Sequence, residues 1–260
     1  MKMCFVSFVT EDFIPGMKIF LKSLITHNKL EIPYLIFVEK NFKKENKESL
    51  LKIYKNIEFK YFDKLKYKKN LRFSYNWSLT PACRFEIFLL SEYDKVIYLD
   101  TDMLCRGDIS LLFNCNHDFC AVINQKMTEA DEKILNFNEG FNAGLMVIGK
   151  KYLTEENYNE AISLLTKFKW HGNQGVFNKI FKNKTYKLPE EYLETTENLN
   201  LNTLKTAKII HFVGKKKPWF SNDQLLKNNF DPYILNNKND APQNKFLTLK
   251  KLIEEYKKYV

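Results

Sequence analysis

The sequence predicts an α/β protein built on a mostly parallel sheet, and three observations carry that prediction. Apolar runs of strand length alternate with longer amphipathic segments from the N-terminus onward. The runs "CFVSFVT" (4–10) and "YLIFVE" (34–39) are nearly uninterrupted, as expected of buried strands. The chain, 260 residues with 45% hydrophobic and 15% aromatic content, is long enough to bury one sizeable core.

Taken in order, 4–10 is the first strand. Residues 15–27 form a helix with Met17, Phe20, Leu21 and Leu24 on one face. The second strand, 34–39, is followed by a helix over 43–55 and a third strand, "IEFKYF" (57–62), with alternating apolar residues. A helix is expected over 81–92, with its proline near the start. The fourth strand, Val96 to Leu99, ends at Asp100. "FCAVIN" (119–124) and "FNAGLMVIG" (141–149) read as strands, 154–168 and 173–181 as helices, and "AKIIHFVG" (207–214) as a last strand. No internal repeat is visible. Residues 1–235 are expected to form one domain, followed over 236–260 by a polar linker and a basic helix. In that helix Phe246, Leu249, Leu252, Ile253 and Tyr256 recur at helical spacing among Lys250, Lys251, Lys257 and Lys258. Such a stripe fits docking on its own domain or lying on an anionic membrane.

Composition excludes several classes. No apolar run approaches the roughly 18 residues a membrane span requires. The first one ends at Glu11 and Asp12, too short for the hydrophobic region of a signal peptide, so a cytoplasmic protein is expected. The net charge of +10 calls for an acidic partner, yet only Arg72, Arg84 and Arg106 are arginines. Base-edge readers depend on arginine, so a nucleic-acid partner is not expected, whereas phosphate-bearing substrates fit. Five cysteines, none arranged as Cys-x-x-Cys, indicate neither a disulfide framework nor a zinc site, and Cys4 and Cys120 read as core residues.

Chemistry is concentrated in "KVIYLDTDMLCRGDISLLF" (95–113). The two-residue period of a strand points Asp100 and Asp102 to one face, where they can share a cation. Hard oxygen ligands suit Mg²⁺ or Mn²⁺, which complete their shells with water and phosphate oxygens. On spacing alone the pair fits a solvated strand end equally well.

Four further pieces join the pair. The run 80–113, "FNAGLMVIG" (141–149), "NQGVFNKIF" (173–181) and "HFVGKKKPW" (211–219), with the N-terminal "FVTEDFIPG", together resemble the family 8 glycosyltransferases, the group containing glycogenin and bacterial lipo-oligosaccharide galactosyltransferases. The resemblance implies a GT-A fold, a uridine diphosphate (UDP) sugar donor, Mn²⁺, and transfer with retention to a glycan, glycolipid or protein acceptor. It implies that Asp100, Asp102 and His211 hold the metal, and an imidazole beside two carboxylates favours Mn²⁺ over Mg²⁺. Lys217 matches a clamp on the donor pyrophosphate, with Gly214 letting backbone approach it and Lys215 and Lys216 solvated. Arg84 matches an arginine near donor sugar and phosphates, and Thr101 between the acids also falls on the donor. Asn142 and Ala143 match the donor-sugar contact, and Gln174 the glutamine near the anomeric carbon. Val9, Thr10 and Asp12 match the cradle for uracil and ribose.

The chain departs from the family where an aspartate commonly precedes that glutamine; here it is Asn173, which hydrogen-bonds but lacks the charge. The spacing from Asp12 to Gly16 also differs by one residue. Two other readings fit parts of the sequence: a catalytically silent nucleotide-sugar-binding protein, and a haloacid-dehalogenase-type phosphatase using Asp100 as nucleophile.

Overall fold

The computed structural model describes residues 1–67, 80–137, 139–170, 172–214, 217–219 and 242–260. The N-terminal half alternates strand and helix as the periodicity requires: β1 (Met3–Phe8), α1 (Ile14–His27), β2 (Tyr34–Glu39), α2 (Lys44–Leu51) and β3 (Ile57–Phe62). Next come α3 (Thr80–Cys83), β4 (Lys95–Leu99), β5 (Met103–Cys105), α4 (Ser110–Asn114), β6 (Phe119–Lys126), α5 (Glu129–Leu135) and β7 (Glu139–Gly149). The remainder comprises α6 (Glu155–Lys167), α7 (Asn173–Ile180), β8 (Tyr186–Lys187), β9 (Glu194–Thr195), α8 (Leu201–Thr206), β10 (Ile209–His211) and α9 (Pro242–Tyr256).

Seven strands form the main sheet in the order β3-β2-β1-β4-β7-β6-β8, and β5-β10-β9 form a second, smaller sheet. β1 to β4 are mutually parallel, while β7 enters antiparallel against both β4 and β6. Strand alternation sends Val6, Tyr98 and Met146 into one core layer under α6 and α7, and Phe5, Ile97 and Val147 into the other, under α1. The apolar face of α1 packs Met17, Phe20, Leu21 and Leu24 there. Thr154 caps α6 by accepting from the Asn157 N–H, and Asn200 with Thr203 forms a capping box on α8.

Three expectations need correction. Residues 81–92 are not one α-helix: after Cys83 the chain tightens into a 3₁₀ helix, Arg84–Leu89. Three residues per turn stacks Phe85 with Phe88 and Arg84 with Ile87, so two aromatic rings enter the core together. Cys115 and Cys120 form a disulfide buried in the core, so Cys120 is not a free core thiol; the spacing matched no pattern that identifies a pair. The last strand is only Ile209–His211, because it pairs with the three-residue β5 and two-residue β9.

The C-terminal helix docks on the body. Leu249, Leu252, Ile253 and Tyr256 are buried with Leu104, Leu204, Ile210 and Phe212. The apolar stripe is therefore not a free membrane-facing surface, while Lys250, Lys251, Lys257 and Lys258 stay exposed. Arg106 Nε donates to Glu255 Oε2 at 2.8 Å, and Lys22 Nζ donates to the carbonyls of Tyr259 and Val260 at 2.9 Å. The side chain of Phe246 and residues 236–241 of the expected linker lie outside the described residues. No helix among the described residues is long and apolar enough to cross a membrane.

Candidate active site

The two sheets meet at Asp100-Thr101-Asp102. The Asp100 N–H donates to the Gly144 carbonyl at 2.8 Å, which ties it to β7 in the main sheet. The Asp102 carbonyl accepts from the Phe212 N–H at 2.9 Å, which ties it to the end of β10 in the small sheet. His211, the last residue of β10, is thereby brought beside both acids. Its Nε2 lies 3.1 Å from Asp102 Oδ1 and 3.5 Å from Asp100 Oδ2.

All three side chains are buried, at 8%, 8% and 6% exposure, and their ligand atoms lie within 4.8 Å of one another. Two carboxylates and one imidazole at such separations fit one divalent cation. The carboxylates are also braced by cations. Arg84 Nη2 lies 2.7 Å from Asp100 Oδ1, with its guanidinium 5.3 Å from the centroid of the Tyr98 ring. Lys217 Nζ lies 2.5 Å from Asp102 Oδ2 and also donates to the Phe212 carbonyl. Burial opposes ionisation of Asp102, but His211 and Lys217 outweigh it and hold the carboxyl well below its ordinary range.

The sugar-binding candidates cluster on one side. Asn142 Oδ1 accepts from the Gly144 N–H at 2.8 Å and its Nδ2 donates to Gln125 Oε1 at 3.2 Å. Gln174, on the first turn of α7, accepts from the Ala143 N–H at 3.1 Å. Asn173 is buried beside it, and Thr101 is buried between the acids. Gly175 cannot carry a side chain, since a Cβ there would stand 2.6 Å from the Trp170 ring and 2.8 Å from the Asp131 carboxyl carbon.

The N-terminal candidates are placed differently. Val9 is fully buried with its N–H on the Phe37 carbonyl, Thr10 is half-buried and Asp12 is exposed. What joins them to the cluster is the 217–219 segment. Trp219 Nε1 donates to the Asp12 carbonyl at 3.1 Å, its ring meets Phe13 edge-on at 5.7 Å, and its indole lies over Gly16. Gly214 has φ +86°, a backbone conformation that favours glycine. Lys215 and Lys216 lie outside the described residues.

Two partners escaped the sequence reading. Tyr98 donates its hydroxyl to Asp100 Oδ1, and its position two residues before Asp100 on a strand was a usable signal. Gln125 reaches Asn142 only through the β6–β7 pairing, which no local pattern shows.

Residues 4–223 match the profile of Glycosyl transferase family 8. The chain belongs to this family. Among curated relatives, the "Glycosyltransferase GlyE" of Streptococcus pneumoniae is 27% identical over 173 residues, covering 57% of this chain and 41% of that protein. The "Lipopolysaccharide 1,2-glucosyltransferase" of Escherichia coli is 27% identical over 150 residues, covering 48% and 44%. The chain thus spans less than half the length of these relatives. Among solved structures, the galactosyltransferase LgtC in complex with donor and acceptor sugar analogues aligns over 99% of this chain and 96% of its own, with TM-score 0.66 at 17% identity. That likeness establishes the GT-A fold of this family 8 chain. Family membership also sets aside the phosphatase reading.

Proposed function

We propose that this family 8 chain is a retaining hexosyltransferase that moves glucose or galactose from a UDP-sugar to an acceptor hydroxyl with Mn²⁺. The observation that supports it best is the buried Asp100–Asp102–His211 cluster, with Lys217 and Arg84 against its carboxylates. A divalent cation held by those three residues supplies Lewis-acid neutralisation of the departing diphosphate. Lys217 and Arg84 add positive charge beside the same phosphates, with Gly214 allowing close backbone approach. Thr101, Asn142 and Ala143 bind the donor sugar; Val9, Thr10 and Asp12 hold the uridine.

Gln174 orients the sugar without attacking it. Its Oε1 is committed to the Ala143 N–H, and a neutral amide is a weak nucleophile. The reading is therefore front-face displacement: the bond from the anomeric carbon to the diphosphate oxygen breaks as the acceptor oxygen bonds on that same face. The acceptor proton passes to the departing diphosphate oxygen. Asn173 hydrogen-bonds sugar hydroxyls without charge, which shifts sugar preference rather than the transfer step. The acceptor is a glycan, glycolipid or protein, and the exposed lysines of α9 supply contact with an anionic membrane surface.

A donor panel tests the proposal. UDP release is expected with Mn²⁺ and one hexose donor, abolished by chelation and reduced on the order of 10³-fold by Asp102→Asn. Full turnover in chelator overturns the metal assignment. Tight donor binding without UDP release under any acceptor supports the silent-binder alternative instead.

A further inference from the structure

Two buried polar atoms next to the metal cluster lack a hydrogen-bond partner among the described residues: His211 Nδ1 and Thr195 Oγ1. Their residues are neighbours. β9 runs parallel to β10 with Thr195 in register with His211, so both side chains leave the same face of the small sheet. Adjacent strands lie about 4.8 Å apart, which sets an imidazole and a hydroxyl side by side. Thr195 is 0% exposed and His211 6%, so bulk water does not reach this pair to satisfy it.

The imidazole faces the acids through Nε2, leaving Nδ1 on the far edge of the ring. When a histidine binds a cation through Nε2, its proton resides on Nδ1 and requires an acceptor; that outer contact orients the ring and raises its basicity. Asn142 Oδ1 is nearby but already accepts the Gly144 N–H. Gly144 closes the ring's Cε1–Nδ1 edge, since a Cβ there would stand 2.7 Å and 2.9 Å from those atoms. The Thr195 hydroxyl is uncommitted, and a χ1 rotation among its staggered wells re-aims Oγ1 without backbone movement.

We propose that Thr195 is the positioning residue of the metal centre, its Oγ1 accepting the His211 Nδ1–H and so fixing the tautomer that leaves Nε2 for the cation. The inference rests on the metal reading proposed above.

Mn²⁺ affinity of the full chain, read by electron paramagnetic resonance of free Mn²⁺, tests it. Thr195→Val keeps the shape and removes the hydroxyl, and is expected to weaken binding about 10-fold or more, whereas Thr195→Ser stays within about threefold of the unmodified chain. His211→Ala serves as reference. If it binds Mn²⁺ as tightly as the unmodified chain, the metal reading itself fails. If it loses binding while Thr195→Val does not, only the positioning role fails. Should Thr195→Val not fold, ¹H spectra of the unmodified protein with Mg²⁺ decide: a nuclear Overhauser contact from the His211 Nδ1 proton to the Thr195 side chain supports the proposal, and an Nδ1 proton without that contact overturns it.

Discussion

Lys217 Nζ lies 2.5 Å from Asp102 Oδ2, with both side chains buried, although 115 residues separate them. An ammonium held on that buried carboxylate is already desolvated, and under the proposed reading it stands beside the donor phosphates. It needs little reorganisation to meet the charge that grows on a departing diphosphate. Lys217→Ala is expected to lower turnover on the order of 10²-fold. Lys215→Ala and Lys216→Ala are expected to have small effects, because the family resemblance implies the clamp role for Lys217 alone. Steady-state rates with saturating donor measure this, and equal losses from all three lysines would replace a specific contact with a diffuse basic patch.

Gly144 sits where the site has no room. A Cβ at this position would meet His211 Cε1 at 2.7 Å, Asn142 Oδ1 at 2.8 Å and His211 Nδ1 at 2.9 Å. Gly144→Ala must push the imidazole away from Asp100 and Asp102, so Mn²⁺ affinity is expected to fall at least about 10-fold while the protein stays folded. Gly107→Ala is the control, because a Cβ there meets Lys208 Cγ only at an ordinary 3.4 Å. An unchanged Mn²⁺ titration for Gly144→Ala would show that the ring does not need this approach.

Much of the site was legible because its pieces are short and local. Asp100 and Asp102 directly follow a strand that any periodicity reading finds, and Asn142, Gln174, His211 and Lys217 each sit in a compact stretch of sequence. The unread parts depend on tertiary pairing. β5 and β9 are three and two residues long, too short to show a period of two. The 3₁₀ turn over Arg84–Leu89 carries the apolar content of an α-helix, and only packing reveals its tighter winding. The Cys115–Cys120 bond and the Gln125–Asn142 contact likewise exist only once β6 is in place.

Glu194 supplies a pH signature from the small sheet. It is buried at 7% exposure, and burial, reinforced by Glu190 and opposed by the Thr195 N–H, raises its pKa from 4.5 to about 7. An acid with a raised folded-state pKa stabilises the fold fully below about 4.5, and loses that contribution as pH rises through about 7. Urea midpoints of the unmodified chain are therefore expected to fall across this window relative to Glu194→Gln. The difference is at most about 3 kcal/mol. A gap between the two proteins that stays constant from pH 5 to pH 8 would rule the effect out.

The C-terminal helix carries the last prediction, in which burial and charge give separable outcomes. Leu252 is 1% exposed, and with Leu249, Ile253 and Tyr256 it covers Leu104, Ile210 and Phe212, the outer face of the sheet that presents His211. Leu252→Ala is expected to cost about 2–5 kcal/mol of stability through lost burial and a residual cavity. A chain ended after Lys245 should lose cooperative unfolding of the small sheet, and with it Mn²⁺ binding. Lys250, Lys251, Lys257 and Lys258 face outward. Reversing all four to Glu should leave Mn²⁺ binding unchanged while abolishing sedimentation with anionic vesicles, each lysine contributing about 1 kcal/mol near such a surface. Vesicle binding that persists after the reversal places any membrane contact elsewhere; a truncated chain that still binds Mn²⁺ and melts cooperatively would show that α9 is an appendage, not part of the core.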